Sequence, residues 1–138
     1  MVDETSLISP VGPNDRGWYI DLVQDTGERI VEPDALVAGI VYFTTFAPSP
    51  DICVPGGFSW LYSVDFRNGS ADDGDDDDSN DTINGRIQDI GEGIATRPVV
   101  DVTNEEVIVQ GSDTRIHVND ASGLIQMLSV RAWRQRYE

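Results

Sequence analysis

The sequence contains no lysine, one histidine, one cysteine and no apolar run as long as 18 residues. Its nine basic residues are all arginines, against 18 aspartates and seven glutamates, so the net charge is −16. A chain this acidic, without a basic cluster, is repelled by phosphate backbones and by anionic membrane surfaces, which argues against nucleic-acid binding. The short apolar runs predict no transmembrane helix, and the single Cys53 cannot form an internal disulfide.

The combinations of side chains that mark common enzyme sites are also missing from the sequence. His117 has no second histidine or paired cysteine with which to hold zinc, and no Gly-x-Ser-x-Gly motif marks a nucleophilic serine. Pro55-Gly56-Gly57 is not followed by the lysine of a phosphate-binding loop. We therefore predict a protein that is not an enzyme, in which Cys53 is a small buried hydrophobic residue.

The 138 residues suit one domain, and most of the chain has the pattern of short strands separated by turns. Residues 36–46 are rich in β-branched and aromatic side chains, and Ala38-Gly39 predicts a hairpin or bend followed by a buried strand. Asn68-Gly69 is a tight-turn dipeptide. Residues 124–133 are ambiguous between a strand and a short helix, and their context favours a strand. The other predicted strands are 18–22, 28–31, 59–66, 97–102, 106–110 and 115–118.

This pattern predicts an all-β fold of antiparallel sheets, as in a sandwich, a barrel or a propeller fragment. We expect a single β-rich domain over residues 1–138, with an acidic loop inserted at residues 68–85. That loop holds seven of the 18 aspartates, and carboxylates at this density cannot pack as a core.

The acidic loop has two interpretations. A run of like charges is usually a solvated surface segment, which is the simpler one. The other is a calcium site, because Asp73, Asp75, Asp77 and Asp81 follow an Asp-x-Asp-x-Asp-x-x-x-Asp spacing and calcium takes six to eight oxygen ligands in flexible geometry. The spacing departs from an EF-hand, since Asp78 stands where a glycine is needed and the glutamate at position 12 is missing.

Seven aromatic residues lie in or beside the first predicted strands, and they also have two interpretations. A platform for carbohydrate or peptide is one, and a hydrophobic core is the simpler one, because all seven lie inside predicted strands. The residues are Trp18, Tyr19, Tyr42, Phe43, Trp60, Tyr62 and Phe66.

An ordered series of short motifs resembles the C-terminal region of the PilY1 family, which acts in type IV pilus biogenesis and as pilus-tip adhesins. The resemblance extends over about residues 12–136. Its motifs include Gly17-Trp-Tyr-Ile-Asp-Leu22, Gly27-Glu-Arg-Ile-Val31, Val41-Tyr-Phe-Thr-Thr-Phe46, Trp60-Leu-Tyr-Ser-Val-Asp65, Val107-Ile-Val-Gln-Gly111 and Arg131-Ala-Trp-Arg-Gln135.

The resemblance implies the last two or three blades of a β-propeller, which a second chain completes, or a small sheet domain closed on itself. It implies a non-enzymatic, extracellular component of a type IV pilus system, acting in assembly or in adhesion at the tip. The implied partners are other pilus proteins or pilin subunits. Two alternatives are a structural subunit packed along a surface filament through an exposed edge strand, and a small carbohydrate-binding domain. The acidic loop does not match the position expected of the family's calcium loop, so calcium is predicted from the residues alone.

Overall fold

The computed structural model describes residues 2–3, 14–51, 53, 56–70, 82–83 and 86–121. Within these ranges every regular secondary-structure element is a strand, and the two larger sheets are antiparallel throughout. The predicted all-β class is therefore confirmed. The same residues include no helix with the length and apolarity needed to cross a membrane. The strand predicted at 124–133 and residues 71–81 of the acidic loop lie outside the described ranges.

The strands are short, apart from two strands of nine residues in the middle of the chain. In chain order they are β1 Val2–Asp3, β2 Trp18–Tyr19, β3 Arg29–Ile30, β4 Ala35–Val37, β5 Ile40–Pro48, β6 Gly57–Asp65, β7 Thr82–Ile83, β8 Ile87–Glu92, β9 Val99–Asp101, β10 Glu106–Gln110 and β11 Ile116–Asp120.

The centre of the fold is the hairpin of β5 and β6. Its nine cross-strand pairs run from Ile40 opposite Asp65 to Pro48 opposite Gly57. The β-branched and aromatic side chains of both strands suit a sheet that is covered on both faces. The predicted bend before β5 is present, because Ala38 and Gly39 both have positive φ angles, 52° and 90°, and turn β4 back onto β5.

The central sheet has the strand order β3-β5-β6-β8-β7, and β4 pairs with β5 beside β3. A second, C-terminal sheet has the order β11-β10-β9, and β1 pairs with β2 in parallel. These sheets do not test the propeller-blade arrangement, which stays a prediction.

Strand β8 was not predicted from the sequence, and a bulge explains why. The register with β6 shifts between Ser59 and Trp60, which leaves Ile90 as an extra residue opposite the shift. A bulge breaks the two-residue alternation that marks a strand in a sequence. Ile87 and Ile90 are three positions apart, so they point to opposite faces of the strand and join separate buried clusters.

The core consists of two clusters, one on each face of the central sheet. On one face, Tyr42 and Leu61 pack in a cluster with Val107 and Val109 of the C-terminal sheet. On the other face lie Phe43, Trp60, Tyr62 and Val64, and the half-buried side chains of Trp18, Ile20 and Leu22 pack against them. The N-terminal segment and the C-terminal sheet therefore cover opposite faces of the same sheet.

Two expectations about the chain before and after β5 need correction. Only Trp18–Tyr19 of the predicted strand 18–22 is a strand, because the following residues contribute to the core through Ile20 and Leu22 without pairing. Cys53 is exposed, not buried. It lies in the turn between β5 and β6, where its backbone N–H donates to Oδ1 of Asp51 at 2.9 Å.

Candidate functional site

The four aspartates predicted to bind calcium, Asp73, Asp75, Asp77 and Asp81, all lie outside the described residues. The structure therefore places none of them, and the calcium site stays a prediction. Elsewhere, in the part of the chain that the structure describes, no group of three acidic, histidine or cysteine side chains is arranged to hold a metal ion.

The base of the acidic loop is described, and it contains a buried arginine that the sequence did not mark. Arg86 is 1% exposed, and its guanidinium donates to the carbonyl of Gly69 at 2.9 Å. The backbone N–H of Asp65 donates to the carbonyl of Ser70, so the start of the loop is tied to β6 and, through Arg86, to the residue that precedes β8. A buried positive charge therefore lies at the point where the acidic loop leaves the sheet.

Beside this base, Asp65 and Arg67 form an ion pair. Nη2 of Arg67 lies 2.6 Å from Oδ2 of Asp65, and the Arg67 backbone N–H also donates to Oδ1. The side-chain hydrogen bond from Arg67 lowers the pKa of Asp65 below its usual value, against the opposing effect of burial. The Asp65 carboxylate closes the turn after β6 and keeps its charge at neutral pH.

The aromatic residues do not form the platform considered from the sequence. Tyr42, Phe43, Trp60 and Tyr62 are buried, and the rings of Phe43 and Tyr62 stack with their centroids 4.7 Å apart. Within the described ranges, only Tyr19 and Phe66 of the seven are exposed, at 41% and 52%. Four of the seven rings therefore belong to the core.

A partly buried polar network surrounds Glu28 on the face of the central sheet that holds Phe43 and Tyr62. Its Oε1 accepts from Oγ1 of Thr45 at 2.6 Å and from the Tyr62 hydroxyl at 2.9 Å, and its Oε2 accepts from the Gln24 backbone N–H at 2.8 Å. Burial, followed by the hydrogen bond to Glu28, raises the pKa of Tyr62 well above its usual value. Tyr62 is only 1% exposed, so this network lies at the edge of the core and stabilises the fold.

The solitary histidine has the position expected of a half-buried strand residue. His117 lies in β11, opposite Val109 of β10, on the side of the C-terminal sheet that faces the core.

The other side of the C-terminal sheet is exposed and carries both apolar and acidic side chains. Val99 and Val118 flank Ile108 in register and are 53% and 54% exposed. The next row along the strands on this side holds Glu106 between Asp101 and Asp120. We call this surface, consisting of Val99, Ile108, Ile116, Val118, Asp101, Glu106 and Asp120, the outer face.

Comparison with known proteins supports part of the resemblance drawn from the motifs. The chain is similar to a type IV pilus biogenesis factor. Over 60 residues it is 43% identical to the PilY1 homolog of Xylella fastidiosa, a match that covers 40% of this chain and 4% of that protein. The chain thus spans a small fraction of the relative's length. No family model matches the sequence, and no solved structure matches it. The similarity to PilY1 is therefore partial.

Proposed function

We propose that this chain is a non-enzymatic, extracellular component of a type IV pilus system, acting in pilus assembly or at the pilus tip in adhesion. The observation that carries the proposal is the 43% identity over 60 residues to the PilY1 homolog, whose name assigns that protein to type IV pilus biogenesis.

A second candidate is a structural subunit that packs along a filament. The observation that favours it is the edge of the C-terminal sheet, where β11 pairs with β10 and with no other strand among the described residues. An edge strand of this kind can accept a strand from a neighbouring subunit.

Deletion of the gene in the producing bacterium tests the proposal. We expect the deletion strain to have fewer surface pili and weaker adhesion, with unchanged pilin in whole-cell lysates, and complementation to restore both. Normal piliation and adhesion in the deletion strain would reject it.

Quantitative mass spectrometry of sheared, purified filaments separates the two candidates. A few copies per filament support a tip or assembly role. A copy number near that of the major subunit supports the structural subunit instead. Complete absence from filaments, with the chain in periplasmic or membrane fractions, supports assembly and rejects the tip role.

A further inference from the structure

The apolar residues of the outer face form one contiguous group across three strands. Ile108 stands between Val99 and Val118 across three adjacent strands, and Ile116, 65% exposed, lies two residues before Val118 on the same side of β11. The opposite side of this sheet packs Val107 and Val109 into the core at 1% and 0% exposure. The sheet therefore has an apolar row on each side, of which only the core side is covered by described residues.

The acidic row beside these side chains is negatively charged, so a basic partner would stabilise it. Glu106 is directly opposite both Asp101 and Asp120, and like charges in directly opposed positions destabilise a sheet. Asp101 stays ionised, because hydrogen bonds from Asn104 and from the backbone N–H of Thr103 lower the pKa of its carboxyl. Glu106 and Asp120 line a shallow depression of about 290 Å³, together with Val118.

The chain contains a segment whose side chains complement this surface. Residues 122–138 carry three of the nine arginines and a single acidic residue, in a protein of net charge −16. They also contain five aliphatic or sulfur side chains between positions 124 and 130. The complementary residues are Leu124, Ile125, Met127, Leu128, Val130, Arg131, Arg134 and Arg136.

This segment begins where it can reach the outer face. Ala121 is buried, and its backbone N–H donates to the carbonyl of Glu105, so the chain leaves β11 beside the acidic row. The apolar row lies two residues back along the strand, about 7 Å away. Seventeen residues extend to about 56 Å, several times the width of three strands.

We propose that residues 122–138 cover the outer face of the C-terminal sheet. Their aliphatic side chains lie against Val99, Ile108 and Val118, and their arginines lie against the carboxylates of Asp101, Glu106 and Asp120. A second copy of the chain is a poorer occupant, because pairing two outer faces would bring two acidic rows together on chains that are each strongly negative.

Thiol accessibility in the full chain tests the proposal. The background is Cys53→Ser, and the probe thiol is introduced by Val118→Cys. The matched control is Val23→Cys, because Val23 is also an exposed valine, at 62%, and lies outside both sheets. We expect a maleimide to label the thiol at position 118 at least tenfold more slowly than the thiol at position 23, with equal rates in urea. The difference should not depend on protein concentration.

Charge reversal then tests whether residues 122–138 are the segment that shields position 118. Arg131→Glu, Arg134→Glu and Arg136→Glu together should accelerate labelling at position 118 and leave position 23 unchanged. Adding Glu106→Arg and Asp120→Arg should restore the slow rate. Equal rates at the two positions in the parent would overturn the proposal, and protection that grows with protein concentration would assign the face to a second copy. Protection that survives the three arginine changes would also overturn the proposal, which places these arginines against the acidic row.

A photo-crosslink supplies an independent reading of what lies there. p-Benzoylphenylalanine in place of Ile116 should crosslink within the same chain to residues 122–138, and the same group in place of Val23 should not. Crosslinks from position 116 to a different region or to a second chain would reject the segment as the occupant. The absence of any crosslink from position 116 would reject it too. Because this experiment uses purified protein, its outcome is independent of whether the chain acts in pili.

Discussion

The hydroxyl of Tyr62 donates a 2.9 Å hydrogen bond to Oε1 of Glu28, across a separation of 34 residues. Tyr62 lies in β6, at the centre of the sheet, and Glu28 immediately precedes β3 at its side. The same carboxylate accepts from Thr45 of β5 and from the backbone of Gln24. One partly buried carboxylate thus holds the segment before β3 against the two longest strands.

We predict that Glu28→Gln destabilises the protein, because the amide replaces a charged acceptor and points a donor group toward other donors. The expected loss in the free energy of unfolding is about 1–3 kcal/mol, the cost of leaving buried polar groups poorly satisfied. Urea denaturation followed by tryptophan fluorescence measures it. The control is Glu92→Gln at the exposed end of β8, which should change the free energy by less than about 0.5 kcal/mol. Equal effects of the two changes would contradict the assigned role of Glu28.

The raised pKa of Tyr62 predicts a loss of stability in alkali. Its folded pKa lies above the ordinary value of about 10, so the folded protein holds this proton where the unfolded chain has lost it. Stability is therefore complete below pH 10 and declines above it, by about 1.4 kcal/mol per pH unit for one such group. The free energy of unfolding, measured by urea denaturation between pH 8 and 11, should fall with this slope above pH 10 in the parent. In Tyr62→Phe the decline should be shallower. Tyr19→Phe, which changes an exposed tyrosine, should keep the parent's slope.

The ion pair after β6 predicts the opposite dependence in acid. Because Arg67 lowers the pKa of Asp65, this carboxylate stabilises the fold above the unfolded value of about 3.9, and the contribution is lost as the pH falls through the folded value. Asp65→Asn should lower the unfolding temperature at pH 7 and make it less sensitive to acid between pH 4 and 2. Arg67→Gln should remove part of the same acid dependence. An unchanged acid profile in Asp65→Asn would contradict the assignment.

Two glycines of the central sheet predict contrasting costs of an added methyl group. A Cβ at Gly57 would collide with the carbonyl oxygen of Ala47 and lie 2.6 Å from the ring of Phe46, so the hairpin itself must move. At Gly91 the φ angle is 93°, but no atom lies within 4 Å of the added carbon. Gly91→Ala should therefore cost only the backbone strain of about 1–3 kcal/mol, and Gly57→Ala should cost more. Thermal unfolding of the two variants tests the order, and an equal or reversed order would contradict it.

The aspartate spacing in the acidic loop predicts calcium binding. Millimolar calcium should raise the unfolding temperature by mass action, and Asp75→Asn with Asp77→Asn should abolish that rise. Differential scanning fluorimetry with calcium, magnesium or EDTA measures it, and Asp113→Asn in the turn before β11 serves as the control. If calcium has no effect on the parent at millimolar levels, only the solvated-loop interpretation remains.

Most of the strands in the described ranges could be predicted because they are runs of β-branched and aromatic residues, which are typical of buried strands. The hairpin of β4 and β5 is an example, since Ala38-Gly39 separates two runs of β-branched and aromatic residues. Strand β8 could not be predicted, because its bulge interrupts the alternation and its two isoleucines, Ile87 and Ile90, lie on opposite faces. Arg86 was missed because no residue pattern in a sequence distinguishes a buried arginine from an exposed one.

The sequence by itself determined the all-β class, the acidic character and the partial similarity to PilY1, because composition, local strand patterns and short motifs do not depend on distant contacts. Tertiary structure alone decided which side chains meet. It placed four aromatic rings in the core, exposed Cys53 in a turn, and brought Glu28 to Tyr62. It also aligned Asp101, Glu106 and Asp120 in one row, since the register between strands sets which residues are opposite each other, and no single strand carries that information.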